Sequence, residues 1–243
     1  MLQLIKGTKR LSKNKYNIFI ACDTTSLSEA KKIIKQTKNK QLNIGYKFGL
    51  EFFNSKNGRN FISKLPIAST VWLDLKLMDI PNTVASAIKS LQDLKNVKYL
   101  TIHASGGYEM MKAAKQAARK TNKRLKVLAV TVLTSFSEQS LKQTGHTKKI
   151  KQIVLKQATL AKQAGIDGIV CSGHEATMVK KICKGMQIIT PGIRLAGDSK
   201  QDQKRVMTPI QAFHNGATGI VIGRSITQGN IQNNIKKLIS ALQ

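Results

Sequence analysis

Asn17-Ile18-Phe19-Ile20-Ala21-Cys22, followed after three residues by Ser26-Leu27-Ser28-Glu29, sets the pattern by which the rest of the chain can be read. The first six residues are an extended apolar run. Ser26 and Glu29 stand at capping-box spacing, and Leu27, Ala30 and Ile34 fall on one helical face, so a strand gives way to a helix. Extended runs recur at residues 43–47, 71–75, 98–102, 125–130, 167–171, 187–190 and 218–222, which makes eight with the first. Helical patterns lie between them, such as Met110, Ala114, Ala117 and Ala118, and the last is Ile231, Ile235, Leu238, Ile239 and Leu242. Eight β-α units in 243 residues match a closed (β/α)8 TIM barrel, for which about 250 residues is typical. A doubly wound open sheet is the competitor, but its Gly-x-Gly-x-x-Gly turn is absent where Ala21-Cys22-Asp23-Thr24-Thr25 follows the first strand. With no Pro-, Gly- or Ser-rich linker and no internal repeat, a single α/β barrel domain over residues 1–243 is expected.

Composition narrows the function classes. Apolar residues make up 41% and charged residues 22% of the chain, which suits a packed globular core. The longest apolar stretches fall well short of the ~18 residues a membrane span needs, and Lys6 interrupts the N-terminus before any signal-peptide core, so a cytoplasmic location with no membrane partner is expected. Three cysteines, Cys22, Cys171 and Cys183, suit reduced thiols better than a disulfide framework. Cys171, His174 and Cys183 lack a paired C-x-x-C, so no metal is expected there. Lys plus Arg number 41 against 12 Asp plus Glu, a formal charge of +29. Such a surface favours polyanions, yet the lysines are scattered along helices and aromatics are only 5% of the chain, so no specific nucleic-acid binding is expected. The same charge would draw in a small anionic substrate.

Functional side chains of a barrel gather at the C-terminal ends of its strands. The third run reads Val71-Trp72-Leu73-Asp74-Leu75-Lys76-Leu77-Met78-Asp79-Ile80-Pro81-Asn82-Thr83. On a regular strand Asp74 and Lys76 point to one side and Leu73 and Leu75 to the other. Pro81 suits the first turn of the next helix, leaving Asp79 in the connecting loop. Lys47 and Asp23, at the ends of the second and first runs, bring two more charges to the same mouth. Each has a plain structural reading: Asp74 with Lys76 as an internal ion pair, Asp23 as a helix cap, Lys47 reaching solvent. Four alternating charges around one cavity are costly to desolvate, however, and fit better a site that stabilises a charged intermediate. At the other end, Thr190-Pro191-Gly192-Ile193-Arg194 follows the seventh run and Gly223-Arg224 follows the eighth. Loops in those two places commonly hold phosphate: Gly223 allows close backbone approach, a helix start offers free N–H groups, and Arg224 and Arg194 supply charged forks.

Asp74-Leu75-Lys76-Leu77-Met78-Asp79-Ile80-Pro81-Asn82-Thr83 resembles the D-x-K-x-x-D-I-x-x-T signature of the orotidine 5′-phosphate decarboxylase family, in its bacterial branch, with every defining position filled. Asp23, Lys47-Phe48-Gly49, Val130-Thr131-Val132-Leu133-Thr134-Ser135, Thr190-Pro191-Gly192-Ile193-Arg194, Gln203 and Gly223-Arg224 follow the family pattern in the same order. The resemblance implies conversion of orotidine 5′-monophosphate to uridine 5′-monophosphate and carbon dioxide without metal or other cofactor. It implies that Lys47, Asp74, Lys76 and Asp79 form the catalytic network with Lys76 as proton donor, and that Asp23 binds the ribose. Thr134 would hold the pyrimidine, and Arg194, Gln203, Gly223 and Arg224 the phosphate, with residues 195–204 as a lid. It further implies a homodimer in which Asp79, Ile80 and Thr83 reach the neighbouring site. His103 is expected to be structural, and Cys22, where relatives usually carry Leu, is a packing change. Two rivals remain: a magnesium-dependent sugar-phosphate decarboxylase or aldolase sharing the D-x-K-x-x-D core, and a polyanion-binding barrel without activity.

Overall fold

All eight extended runs become strands, β1 (Asn17–Ala21), β2 (Asn43–Gly49), β3 (Val71–Leu77), β4 (Val97–His103), β5 (Lys126–Val130), β6 (Gly168–Val170), β7 (Gln187–Thr190) and β8 (Gly219–Ile222). The computed structural model describes residues 16–198 and 206–243; Gln203 and part of the expected lid at 195–204 lie outside the described residues. Each strand pairs in parallel with the next and β1 pairs with β8, closing the barrel and removing the open-sheet alternative. Its outer helices are α1 (Leu27–Thr37), α2 (Leu50–Asn54), α3 (Gly58–Ser63), α4 (Pro81–Lys89), α5 (Gly107–Thr121), α6 (Glu138–Gln143), α7 (Ile150–Gln163), α8 (Ala176–Ile182), α9 (Pro209–His214), α10 (Arg224–Thr227) and α11 (Ile231–Ala241). No helix among the described residues is long and apolar enough to cross a membrane.

The opening unit forms with two adjustments. Ser26 caps α1 by accepting from the Glu29 N–H at 3.3 Å. The Glu29 carboxylate accepts instead from the Thr24 hydroxyl at 2.7 Å, so the reciprocal half of the capping box is not made, and Asp23 is not the cap. The buried stripe of α1 is Ala30, Ile33 and Thr37, while Leu27 and Ile34 lie half-buried at its edges. The expected face was therefore displaced by about one residue, with Ile33 and not Leu27 or Ile34 taking the fully buried apolar position beside Ala30.

Alternation along the strands divides the core in two. One set, including Ile18, Ile20, Phe48, Leu73 and Leu100, faces the helices. The other fills the barrel: Phe19, Ala21, Trp72, Tyr99, Leu128, Val130, Val170, Ile189 and Val221. Phe19 is central to the filling, meeting Trp72 edge-on at 4.9 Å and Tyr99 at 5.1 Å between ring centres, favourable aromatic geometry. Gly45 makes room for it, because a Cβ there would stand 2.9 Å from the Phe19 ring. Trp72 lines the upper cavity, at the C-terminal ends of the strands, and Tyr99 the lower, so the three rings separate the barrel's two mouths.

Candidate active site

The upper mouth encloses about 420 Å³, lined by two carboxylates, Asp23 and Asp74, and four cations, Lys47, Lys76, Arg194 and Arg224. That excess of positive charge complements an anionic ligand, and the volume lies within the usual range for a small-molecule site.

Four charges from the first three strands form one chain. The Lys47 ammonium sits 3.1 Å from Asp23 Oδ1 and 3.2 Å from Asp74 Oδ2, and Lys76 Nζ donates to the same Asp74 oxygen at 2.9 Å. Burial works against the charge on Lys47, but Asp74 and Asp23 outweigh it and hold that ammonium above the ordinary lysine range. Burial likewise disfavours the Asp74 carboxylate; Lys47, Lys76 and the hydrogen bonds outweigh it and hold its pKa below the ordinary carboxylate value. Asp74's contribution to stability is therefore present above its unfolded pKa, about 3.9, and is lost only as pH falls through the lower folded value. Lys47 behaves oppositely, losing its contribution as pH rises through its raised folded value, so both groups stay charged across the neutral range.

Lys76 and Asp74 do meet, but not by regular strand alternation. Lys76 has φ +47°, alone among described non-glycine residues in the left-handed region. The β3–β4 register shifts between Leu73 and Leu77. A left-handed residue of this kind costs about 1–2 kcal/mol, which neighbouring contacts must offset. Thr101 of β4 supplies one: its hydroxyl accepts from the Lys76 N–H at 3.0 Å and donates to Asp74 Oδ1 at 2.9 Å. This fully buried threonine ties the backbone of one charged residue to the side chain of the other. Sequence reasoning passed over it, although a polar residue between Leu100 and Ile102 on an otherwise apolar strand was a visible signal.

Thr134, Arg194, Gly223 and Arg224 line the same cavity from the ends of β5, β7 and β8. Arg194 is buried, with Nη1 donating to the Ile193 carbonyl at 3.1 Å. A Cβ on Gly223 would stand 3.5 Å from Ala21 Cβ and 3.9 Å from Asp23 Oδ2, ordinary contact distances, which places Gly223 beside the end of the first strand. Asp79, Ile80 and Thr83 do not line this cavity within one chain. They are exposed at the start of α4, where Ile80 is the N-cap and Pro81 occupies the first turn as expected. His103 stays outside as well; burial, then the nearby Lys76, hold its imidazole below the ordinary pKa. Cys22 is buried, and that burial pushes its thiol up to about 12, so it packs as an inert side chain. Cys171 lines the cavity, whereas Cys183 donates to the Ala158 carbonyl and His174 is exposed. Among the described residues no group of three or more His, Cys, Asp or Glu side chains is arranged to hold a metal ion.

Comparison with known proteins identifies the family. A family model described as orotidine 5'-phosphate decarboxylase / HUMPS family matches residues 16–237. An orotidine 5'-phosphate decarboxylase of Sphingopyxis alaskensis is 42% identical over 215 residues, covering 88% of this chain and 92% of that protein. One from Fusobacterium nucleatum is 43% identical over 216 residues, covering 88% and 90%. The crystal structure of orotidine 5'-phosphate decarboxylase from Lactobacillus acidophilus superposes with a TM-score of 0.81 at 30% identity, over 94% of this chain and 99% of that one. A closed barrel and kinship over nearly the whole described length lead to one conclusion: the chain belongs to the orotidine 5'-phosphate decarboxylase / HUMPS family.

Proposed function

We propose that the protein converts orotidine 5′-monophosphate to uridine 5′-monophosphate and carbon dioxide, a step of pyrimidine biosynthesis, with its own side chains as the only catalysts. The observation that carries this reading is the Asp23–Lys47–Asp74–Lys76 chain of charges, facing Arg194 and Arg224 in one cavity. As the C6–carboxylate bond breaks, its electron pair stays on C6, and Lys76 Nζ stabilises that charge and then delivers its proton to C6. Asp74, held ionised beside Lys76, keeps the ammonium aimed and sits close to the departing carboxylate. Lys47 ties Asp74 to Asp23, which takes the ribose hydroxyls, while Thr134 holds the pyrimidine. Arg194, Gly223 and Arg224 grip the phosphate, as does Gln203 in the family pattern, so remote binding energy serves the chemical step. Asp23 and Asp74 already hold lysine ammonium groups, which favours the metal-free reading over the magnesium-dependent sugar-phosphate one. In the working homodimer, Asp79, Ile80 and Thr83 enter the neighbouring site.

The deciding experiment follows the ultraviolet absorbance of orotidine 5′-monophosphate with the purified protein, with and without a chelator. Equal conversion to uridine 5′-monophosphate in both samples is the expected result. Loss of conversion with chelator would favour the sugar-phosphate branch, and no conversion in either sample from a folded dimer would overturn the reading.

Thr101 serves this reading as a positioning residue. Thr101→Val keeps the shape of the side chain but leaves the Lys76 N–H and one Asp74 oxygen without their partner. The expected loss is about 1–3 kcal/mol of stability and, from a misplaced proton donor, ~100-fold in kcat with little change in KM. Thr101→Ser, which restores the hydroxyl, is expected to recover most of kcat. Recovery of stability without recovery of kcat would make Thr101 merely structural.

A further inference from the structure

The lower mouth of the barrel, on the far side of the aromatic filling, is a second concavity of about 440 Å³. Six of its fourteen lining residues are cations, against 41 of 243 in the whole chain. Lys115 and Arg119 lie one turn apart on α5 and Lys123 follows just beyond its end, while Lys98 comes from β4 and Arg124 and Lys126 from the start of β5.

Among the described residues that line the basin the one carboxylate, Asp167, is already committed. It accepts from Lys115 Nζ at 2.5 Å and from the Val127 N–H at 2.8 Å. Among the described residues, Lys98, Arg119, Lys123, Arg124 and Lys126 form no ion pair with a carboxylate. Residues 1–15, which precede β1, carry Lys6, Lys9, Arg10, Lys13 and Lys15 and no Asp or Glu. Cations near a helix C-terminus complement its dipole, which accounts for Arg119 and Lys123. It does not reach Lys98, Arg124 and Lys126, which enter from strands and their connections; Lys98 donates to the Ala68 carbonyl and the Thr70 hydroxyl and Lys126 lies over the Tyr99 ring, contacts that leave both charges unneutralised. Like charges brought to one concave surface repel one another, and an anion seated among them would relieve that repulsion.

We propose that this basin is a binding site for a small polyphosphate anion, separate from the upper cavity. Five cations without carboxylate partners exceed what one phosphate group can neutralise, and lysine and arginine together suit a run of phosphates. A nucleic-acid strand fits less well. Phe19 and Tyr99, the aromatic rings at the basin, are 2% and 8% exposed and offer no platform for stacked bases.

The test titrates inorganic tripolyphosphate, and in parallel ATP, into the full-length protein by calorimetry at low salt. Arg119→Gln/Lys123→Gln/Arg124→Gln, three exposed changes, is expected to weaken tripolyphosphate binding at least tenfold with an unchanged melting temperature. Wild-type protein in excess uridine 5′-monophosphate, which would occupy the upper cavity, is expected to bind tripolyphosphate at the basin with unchanged affinity. Equal affinity for both phosphates identifies the phosphate chain as what is recognised, and tenfold tighter ATP identifies a nucleotide tail as its source. Unchanged affinity in the triple variant, loss of tripolyphosphate binding in the presence of uridine 5′-monophosphate, or binding only to a single-stranded oligonucleotide each overturns the proposal. These outcomes do not depend on whether the upper cavity decarboxylates.

Discussion

Lys76→Ala is expected to lower turnover of orotidine 5′-monophosphate by ~10⁵-fold or more, because it removes two effects at once. Proton delivery by a positioned acid contributes roughly 10²–10⁴, and electrostatic stabilisation of developing charge roughly another 10²–10³. Binding of uridine 5′-monophosphate is expected to stay within about tenfold of wild type, since the arginines that would grip the phosphate lie across the cavity and are untouched. The fold survives the change: Asp74 keeps Lys47 at 3.2 Å and the Thr101 hydroxyl at 2.9 Å, so no buried carboxylate is stranded. Single-turnover kinetics together with product binding by calorimetry separate the two quantities. Activity within about 100-fold of wild type would show that Lys76 does not supply the proton.

Mixing two inactive variants is expected to restore activity. In a homodimer with composite sites, Lys76→Ala and Asp79→Ala each spoil every site of their own dimers. A mixed dimer puts both changes into one site and leaves the other intact. Random exchange makes half of the dimers mixed, so specific activity is expected to rise to about a quarter of wild type. The structure motivates the test: Asp79 is absent from its own chain's cavity and stands between Met78 and Ile80, which are 57% and 66% exposed. An apolar pair so open on one chain is suited to contact with another. Exchange verified by mass spectrometry with no gain in activity would remove Asp79 from the neighbouring site.

The barrel was legible because its signal is repeated: eight apolar runs with helices between them leave little freedom once sheet closure is favoured. The charged chain was legible too, since strand ends carry the site and Asp23, Lys47, Asp74 and Lys76 all stand there. What alternation could not give was the backbone at Lys76. A left-handed residue inside a strand is set by tertiary contacts, here with Thr101 across the β3–β4 register shift, and not by local pattern. Nor could spacing reveal that Glu29 turns to Thr24, because both the box and its alternative satisfy the same polar groups. The lower basin escaped for a related reason. Its cations come from α5, β4 and β5, and along the chain they read as scattered surface charge.

The aromatic filling of the barrel bears on how the protein could be handled. Since Phe19, Trp72 and Tyr99 close the interior between the two mouths, a bead coated with polyphosphate that captured the protein by its lower face would leave the upper opening free to solvent. The molecule would then be oriented on a support by its own surface charge, with no engineered tag and with its working end outward.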